Sequence, residues 1–241
     1  MARYNKAVTV YGAKLLTDGD MNMDLTLEKK KSYYKNCMFI HGLGQLPTSW
    51  DKVISYFPND VKISCPHLSE IVNGQKVTYE NLYKAFENQC NLIKEPLYLC
   101  GVSLGAILAL HYTLDYPQNV DSLIMIAPQY KMPRFLLGFQ NIIFRMMPKR
   151  AFQETGFAKK DIISLTNSMK TLDFTSKVKE ISCPSLIICG QNDTSNKKAA
   201  KILADSIPNA QMSSVKNAGH EVNVETPVKL AALIKEFWFN E

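Results

Sequence analysis

The string Leu97-Tyr-Leu-Cys-Gly-Val-Ser103-Leu-Gly105-Ala-Ile-Leu constrains this chain more than any other. A strand-like apolar run meets Gly-x-Ser-x-Gly and passes without a linker into a helical pattern. A strand that turns straight into a helix forces the residue at the corner into a strained conformation, and the two flanking glycines relieve the crowding. The serine hydroxyl then stands exposed. The helix behind it points its free N-terminal amides and partial positive charge at any oxyanion formed there. Gly-x-Ser-x-Gly alone also occurs in ordinary strand-to-helix turns; the strand before it and the helix after it give it weight.

At 241 residues the chain is long enough for one large domain with a sizeable core. With 46% hydrophobic and 21% charged residues it reads as soluble and globular rather than disordered or coiled-coil. The net charge of +6 is modest and the basic residues are scattered, which argues against nucleic-acid binding. The densest run, Lys29-Lys30-Lys31, reads as a solvated bend. The six cysteines (Cys37, Cys65, Cys90, Cys100, Cys183, Cys189) show no metal-ligand spacing, and five lie in apolar runs where a free thiol acts as a small hydrophobe. No apolar stretch near the N-terminus reads as a signal peptide, and no run is long enough to span a membrane. A cytoplasmic location is the expectation.

Short β-branched and aromatic runs alternate with longer amphipathic ones, the signature of a mostly parallel sheet covered by helices. Strands are expected at 7–11, 23–28, 37–40, 61–65, 97–100, 123–126, 185–189 and 212–215, the first two as an antiparallel edge hairpin. Helices are expected at 49–57, 79–93, 104–116, 197–207 and 227–239. One stretch breaks the alternation: 129–178 contains no convincing strand and reads as a helical cap inserted into a single domain spanning 1–241. Its helices are expected at 134–147, apolar on nearly every side, and at 161–169.

A serine at its free pKa is a poor nucleophile; it needs a base, and the base needs an orienting acid. Of the four histidines, His41 ends a strand, His67 lies in a loop, and His111 sits inside the helix after Ser103, where a structural role fits. His220, in Asn217-Ala-Gly-His220-Glu, opens from the carboxyl end of the last strand, as the turn of Ser103 does from its own strand. Asp193, in Cys189-Gly-Gln-Asn-Asp193, lies at the same sheet edge, and the order Ser103, Asp193, His220 is that of nucleophile, acid and base. Asp161, Asp173 and Asp205 are fallback acids. Two backbone donors are needed for an oxyanion: the amide of Leu104 supplies one, and the glycine-rich His41-Gly-Leu43-Gly44 loop offers the other through Leu43.

These motifs, with Tyr116-Pro117, the Leu123-Ile-Met run, the segment from Cys183 to Asp193 and Gly219-His220, resemble the α/β-hydrolase superfamily from about residue 6 to the C-terminus. The resemblance implies the α/β-hydrolase fold, a Ser103–His220–Asp193 triad, an oxyanion hole from Leu43 and Leu104, a helical cap, and no need of a metal or organic cofactor. One departure stands out. Many relatives carry Asp-x-x-Gly-x-Gly where this chain has His67-Leu-Ser-Glu70, so the loop beside the site differs.

The expected chemistry is hydrolysis of a small-molecule carboxylic ester, small or acyl-chain, through an acyl-enzyme. Thioester, C–C, lactone or lyase chemistry on the same three residues is the alternative, and a non-catalytic ligand receptor the further one. Phe135, Phe139, Ile143 and Met146 recur at helical spacing in the cap and suit an acyl chain or plain packing onto the core. Lys131, Arg134, Arg145, Lys149 and Arg150 flank them, which adds weak docking to an anionic membrane surface as a third reading. Oligomeric state is not legible.

Overall fold

The computed structural model describes residues 35–132, 146–152 and 156–240. The expected hairpin at 7–11 and 23–28, and nearly all of the expected helix at 134–147, lie outside these residues. Among these residues six strands form one sheet: β1 (Asn36–Ile40), β2 (Lys62–Ser64), β3 (Leu97–Val102), β4 (Val120–Ile126), β5 (Ser185–Gly190) and β6 (Ala210–Val215). Their order is β2-β1-β3-β4-β5-β6, and every pairing is parallel. The connecting helices are α1 (Asp51–Ile54), α2 (Leu68–Ile71), α3 (Tyr79–Asn91), α4 (Leu104–Asp115), α5 (Lys159–Ser168), α6 (Lys197–Ser206), α7 (Val222–Glu225) and α8 (Pro227–Phe239).

The period-two alternation of each strand sorts its side chains between two cores. Met38, Ile40, Leu99, Leu123, Met125 and Ile187 face one side, under α3, α4 and α6. Cys37, Phe39, Cys100, Ile124, Ile126 and Ile188 face the other, under α1 and α8. Because helices cover both faces, the inner strands β1, β3 and β5 are buried almost throughout, whereas the edge strands β2 and β6 are more polar and exposed. Like the inner strands, α4 buries Leu104 to Leu110 almost without interruption. Five of the six cysteines are buried, and all six are free. Desolvation pushes the thiols of Cys37 and Cys65 up to about 12, so they pack rather than react.

Several elements differ from expectation: β6 begins at Ala210, and the single turns α2 and α7 are not among the expected helices. The expected helix at 49–57 is a 3-10 turn, Pro47–Trp50, followed by the single turn α1. β4 begins at Val120, three residues early, because Val120 pairs with Leu97 across a register irregularity. The polar Val120-Asp-Ser122 run conceals that start from a pattern reading.

The 129–178 insertion leaves and re-enters the body at one place. Met132 N–H donates to Leu172 O at 3.0 Å, Phe174 N–H donates to Tyr130 O at 2.8 Å, and Lys131 pairs with Asp173 at 2.9 Å. Beyond this neck, α5 lies on α3, with Tyr79 N–H donating to Ser168 Oγ at 2.8 Å. Ile162, Leu165 and Met169 join the core of the α3 face, so this part of the insertion is core packing.

At the corner between β3 and α4 the chain packs backbone against backbone. A Cβ on Gly101 would fall 2.3 Å from the backbone of Gly105, and one on Gly105 would fall 2.2 Å from Ile40 O. Glycine is needed there for close approach, since both values are far inside van der Waals contact. Gly105→Ala is therefore expected to destabilise the protein by about 3 kcal/mol or more, the upper end of what overpacking costs, as read from urea denaturation midpoints.

Candidate active site

Four strand ends meet at the carboxyl edge of the sheet, where open parallel sheets place their ligands. β3 delivers Ser103, held at φ 54° and ψ −112°. The ladder continues one residue into the turn, because Ser103 N–H donates to Ile126 O at 2.9 Å. A non-glycine residue in this region is strained, and here the helix and both neighbouring strands hold it there. Leu104 is the first residue of α4, so its amide has no acceptor within the helix.

β1 delivers the loop 41–45. A Cβ on Gly42 would stand 3.5 Å from Ser103 Cβ and from Val102 O, which places this loop against the serine turn. Within it, His41 Nε2 accepts from Leu68 N–H at 3.2 Å, so the ring proton resides on Nδ1, which donates to Gly42 O at 2.9 Å. Gln45 N–H donates to the same carbonyl at 3.2 Å. Two donors on the Gly42 carbonyl turn the opposite end of that peptide unit, the N–H of Leu43, the other way and polarise it as a donor.

β5 and β6 deliver the other pair. Asp193 Oδ2 lies 3.0 Å from His220 Nδ1, with Asp193 only 6% exposed. A carboxylate can only accept, so Nδ1 carries the proton and Nε2 is the ring nitrogen left to act as a base. Asn196 Nδ2 donates to both carboxylate oxygens, at 2.9 and 2.8 Å, and Gln129 Nε2 donates to Asn196 Oδ1 at 2.7 Å. On the far side of His220, the carboxylate of Glu225 accepts from Gly219 N–H at 2.7 Å and Glu221 N–H at 3.0 Å. A Cβ on Gly190 would fall 2.0 Å from Gly219 O, so the two loops touch backbone to backbone.

The site thus brings Asp193 and His220 into contact and stands Ser103 at the neighbouring corner, beside the loop of Leu43. Among the described residues no hydrogen bond joins Ser103 to His220; such contacts commonly tighten only when substrate binds. The fallback acids are placed elsewhere. Asp161 is in the first turn of α5, Asp173 is held by Lys131 and Thr175, and Asp205 pairs with Lys201 at 3.3 Å. His111 stacks on Tyr83 with ring centroids 3.8 Å apart, the structural role its helix position implied. Phe135, Phe139 and Ile143 lie outside the described residues, and Met146 is 82% exposed. Gln45, Gln129, Asn196 and Glu225 escaped the sequence reading. Only Asn196, three residues after Asp193 and just ahead of α6, carries a local signal, that of a helix cap. Among the described residues no group of three or more His, Cys, Asp or Glu is arranged to hold a metal ion.

Comparison with known proteins places this geometry. The family model described as serine aminopeptidase, S33, matches residues 61–177, a span that includes Ser103. Mouse monoacylglycerol lipase ABHD6 is 23% identical over an alignment covering 83% of this chain and 74% of that protein. A thermophilic esterase from Thermogutta terrifontis superposes with a TM-score of 0.69 at 19% identity, over 84% of this chain and 88% of that one. The enol-lactonase from Burkholderia xenovorans LB400 superposes with a TM-score of 0.75 at 13% identity, over 87% and 93% respectively. The chain has the α/β-hydrolase fold. Its relatives include lipase-type proteins, and no helix among its described residues is long and apolar enough to cross a membrane.

The electrostatics of His41 bear on the stability of the 41–45 loop. Burial lowers the His41 imidazole to about 4, against the hydrogen bond to Gly42 that raises it, while nearby His67 lowers it further. A folded value below the unfolded 6.5 means that the unfolded chain takes up the proton first. Stability from this residue is therefore full above pH 6.5 and drains as pH falls toward 4, by on the order of 3 kcal/mol in all. His111, also lowered by burial, adds in the same direction. Urea denaturation across pH 4 to 7 should show a shallower loss in His41→Gln than in the wild type.

Proposed function

We propose that this α/β hydrolase cleaves a carboxylic ester through a covalent acyl-enzyme on Ser103. The observation that carries the reading is the strained Ser103 at the head of α4, on one sheet edge with the His220–Asp193 pair. In the first step Ser103 Oγ attacks the ester carbonyl while His220 Nε2 takes its proton. Asp193, fixed by Asn196, holds the imidazole in the required tautomer and balances the imidazolium. The negative charge gathers on the former carbonyl oxygen, facing the amides of Leu104 and Leu43. Removing one such donor typically costs about 3 kcal/mol of barrier lowering. His220 then gives its proton to the departing alkoxide, and the ester C–O bond breaks. Water, deprotonated by the same nitrogen, attacks the acyl-enzyme and releases the acid with Ser103 restored.

Ester hydrolysis is preferred to thioester or C–C chemistry because the monoacylglycerol lipase and the esterase act on that bond, and a lactone is an internal ester; lyase chemistry on the same three residues stays the alternative. A small-molecule ester with an acyl chain fits the apolar composition of the cap segment.

A fluorophosphonate, which reacts only with an activated serine, is expected to label Ser103 in the wild type and nothing in Ser103→Ala, with the adduct mapped by mass spectrometry. On a panel of chromogenic esters of rising acyl length, Ser103→Ala should lose at least about 10³-fold in kcat and Asp193→Asn about 10³–10⁴-fold. Folded wild-type protein that takes up no label would turn the assignment toward a non-catalytic receptor.

A further inference from the structure

The loop that carries Leu43 and the segment that carries His220 do not come from neighbouring strands. β1 and β6 are separated by β3, β4 and β5. At about 4.8 Å per step, their ends start on the order of 19 Å apart, so sheet register does not fix one loop against the other. What spans them is a side chain. Gln45, only 8% exposed, receives Gly42 N–H on Oε1 at 3.1 Å. A backbone N–H can only donate, so the oxygen end of this amide must face Gly42, and the nitrogen end faces away. That nitrogen donates to Glu221 Oε1 at 3.0 Å and Asn223 Oδ1 at 3.2 Å, one and three residues past His220. Asn223, fully buried, closes the clasp by donating to Gln45 Oε1 at 3.3 Å and Ser49 Oγ at 3.3 Å.

We propose that the Gln45–Asn223 clasp is a positioning device for catalysis: it ties the Leu43 donor to the His220 segment so that oxyanion donor and base keep one relative placement. The inference rests on the Ser103 reading above and goes beyond it, since neither residue belongs to the triad or donates to the oxyanion. Gln45 grips the Gly42–Leu43 stretch twice, through its side-chain oxygen on Gly42 N–H and through its own N–H on Gly42 O. Releasing the far end lets that stretch drift relative to His220 while leaving the helix-born Leu104 amide in place. The transition state, which needs both loops at once, loses more than the bound ester does. The device acts on kcat rather than on KM.

The test uses the full chain with p-nitrophenyl butyrate, each rate divided by the active-site concentration from an end-point fluorophosphonate titration. Gln45→Ala and Asn223→Ala are each expected to lower kcat by about 10- to 100-fold, with KM within about threefold of wild type. The double variant should fall no further than the worse single one, because both changes open the same clasp. Gln45→Asn, one methylene too short to reach both loops, should resemble Gln45→Ala and serves if the alanine variant does not fold. A purely structural role would reduce the titrated sites and the melting temperature but leave kcat per site unchanged. That result, or losses that multiply in the double variant, overturns the clasp. Wild-type protein that does not label at Ser103 overturns the reading beneath it instead, and the two failures are told apart by the titration alone.

Discussion

Ile40 and Gly105 meet backbone to backbone, and so do Gly101 and Gly105 on the other side of the turn. That contact is possible only without side chains, and most of the site follows from it. It brings α4 down onto the ends of β1 and β3, so the helix can begin immediately after the strand. The helix then starts at Leu104, with its free amides at the sheet edge, and Ser103 is left in a conformation it would not choose for itself. The buried apolar face of α4 supplies the packing energy that keeps this strained corner occupied.

A second theme is that the loops above the corner are held by neutral amides. Gln45, Asn196 and Asn223 each bind two or more partners and are nearly or fully buried, and Gln129 braces Asn196. Buried amides fix position through directional hydrogen bonds without adding net charge. Beside a centre where a negative charge grows and a positive one forms on an imidazole, an extra formal charge would favour one of the two and oppose the other. Two carboxylates join these amides: Glu221 accepts from Gln45 Nε2, and Glu225 turns to two backbone amides rather than to the ring of His220.

Most of the architecture was legible because it rests on local pattern. Continuous apolar runs marked β3, β4 and β5, helical spacing marked α3, α4 and α8, and strand-glycine-serine-glycine-helix marked the corner. Where chemistry interrupts pattern, legibility failed: the polar start of β4, and the helix at 49–57 that Pro47 and Trp50 break into a 3-10 turn and one α-turn. The contact between Asp193 and His220 could be anticipated from the order of two strand ends. The clasp could not, because Gln45 and Asn223 are 178 residues apart and neither belongs to a recurring spacing. A glutamine in a loop looks the same in sequence whether it meets water or another loop.

The neck at Tyr130–Met132 and Leu172–Phe174 has a consequence of a different kind. Two backbone hydrogen bonds and an ion pair bring the ends of the insertion together, so the sheet meets the whole segment as though it were a single closed loop. The entropy of closing such a loop grows only with the logarithm of its length, about 0.6 kcal/mol per doubling. Changing the length of the stretch between the arms is therefore cheap in chain entropy alone; what resists it is α5, whose Ile162 and Leu165 sit in the core of the α3 face. The neck sets where the segment joins the sheet, and α5 sets how much of it is part of the body.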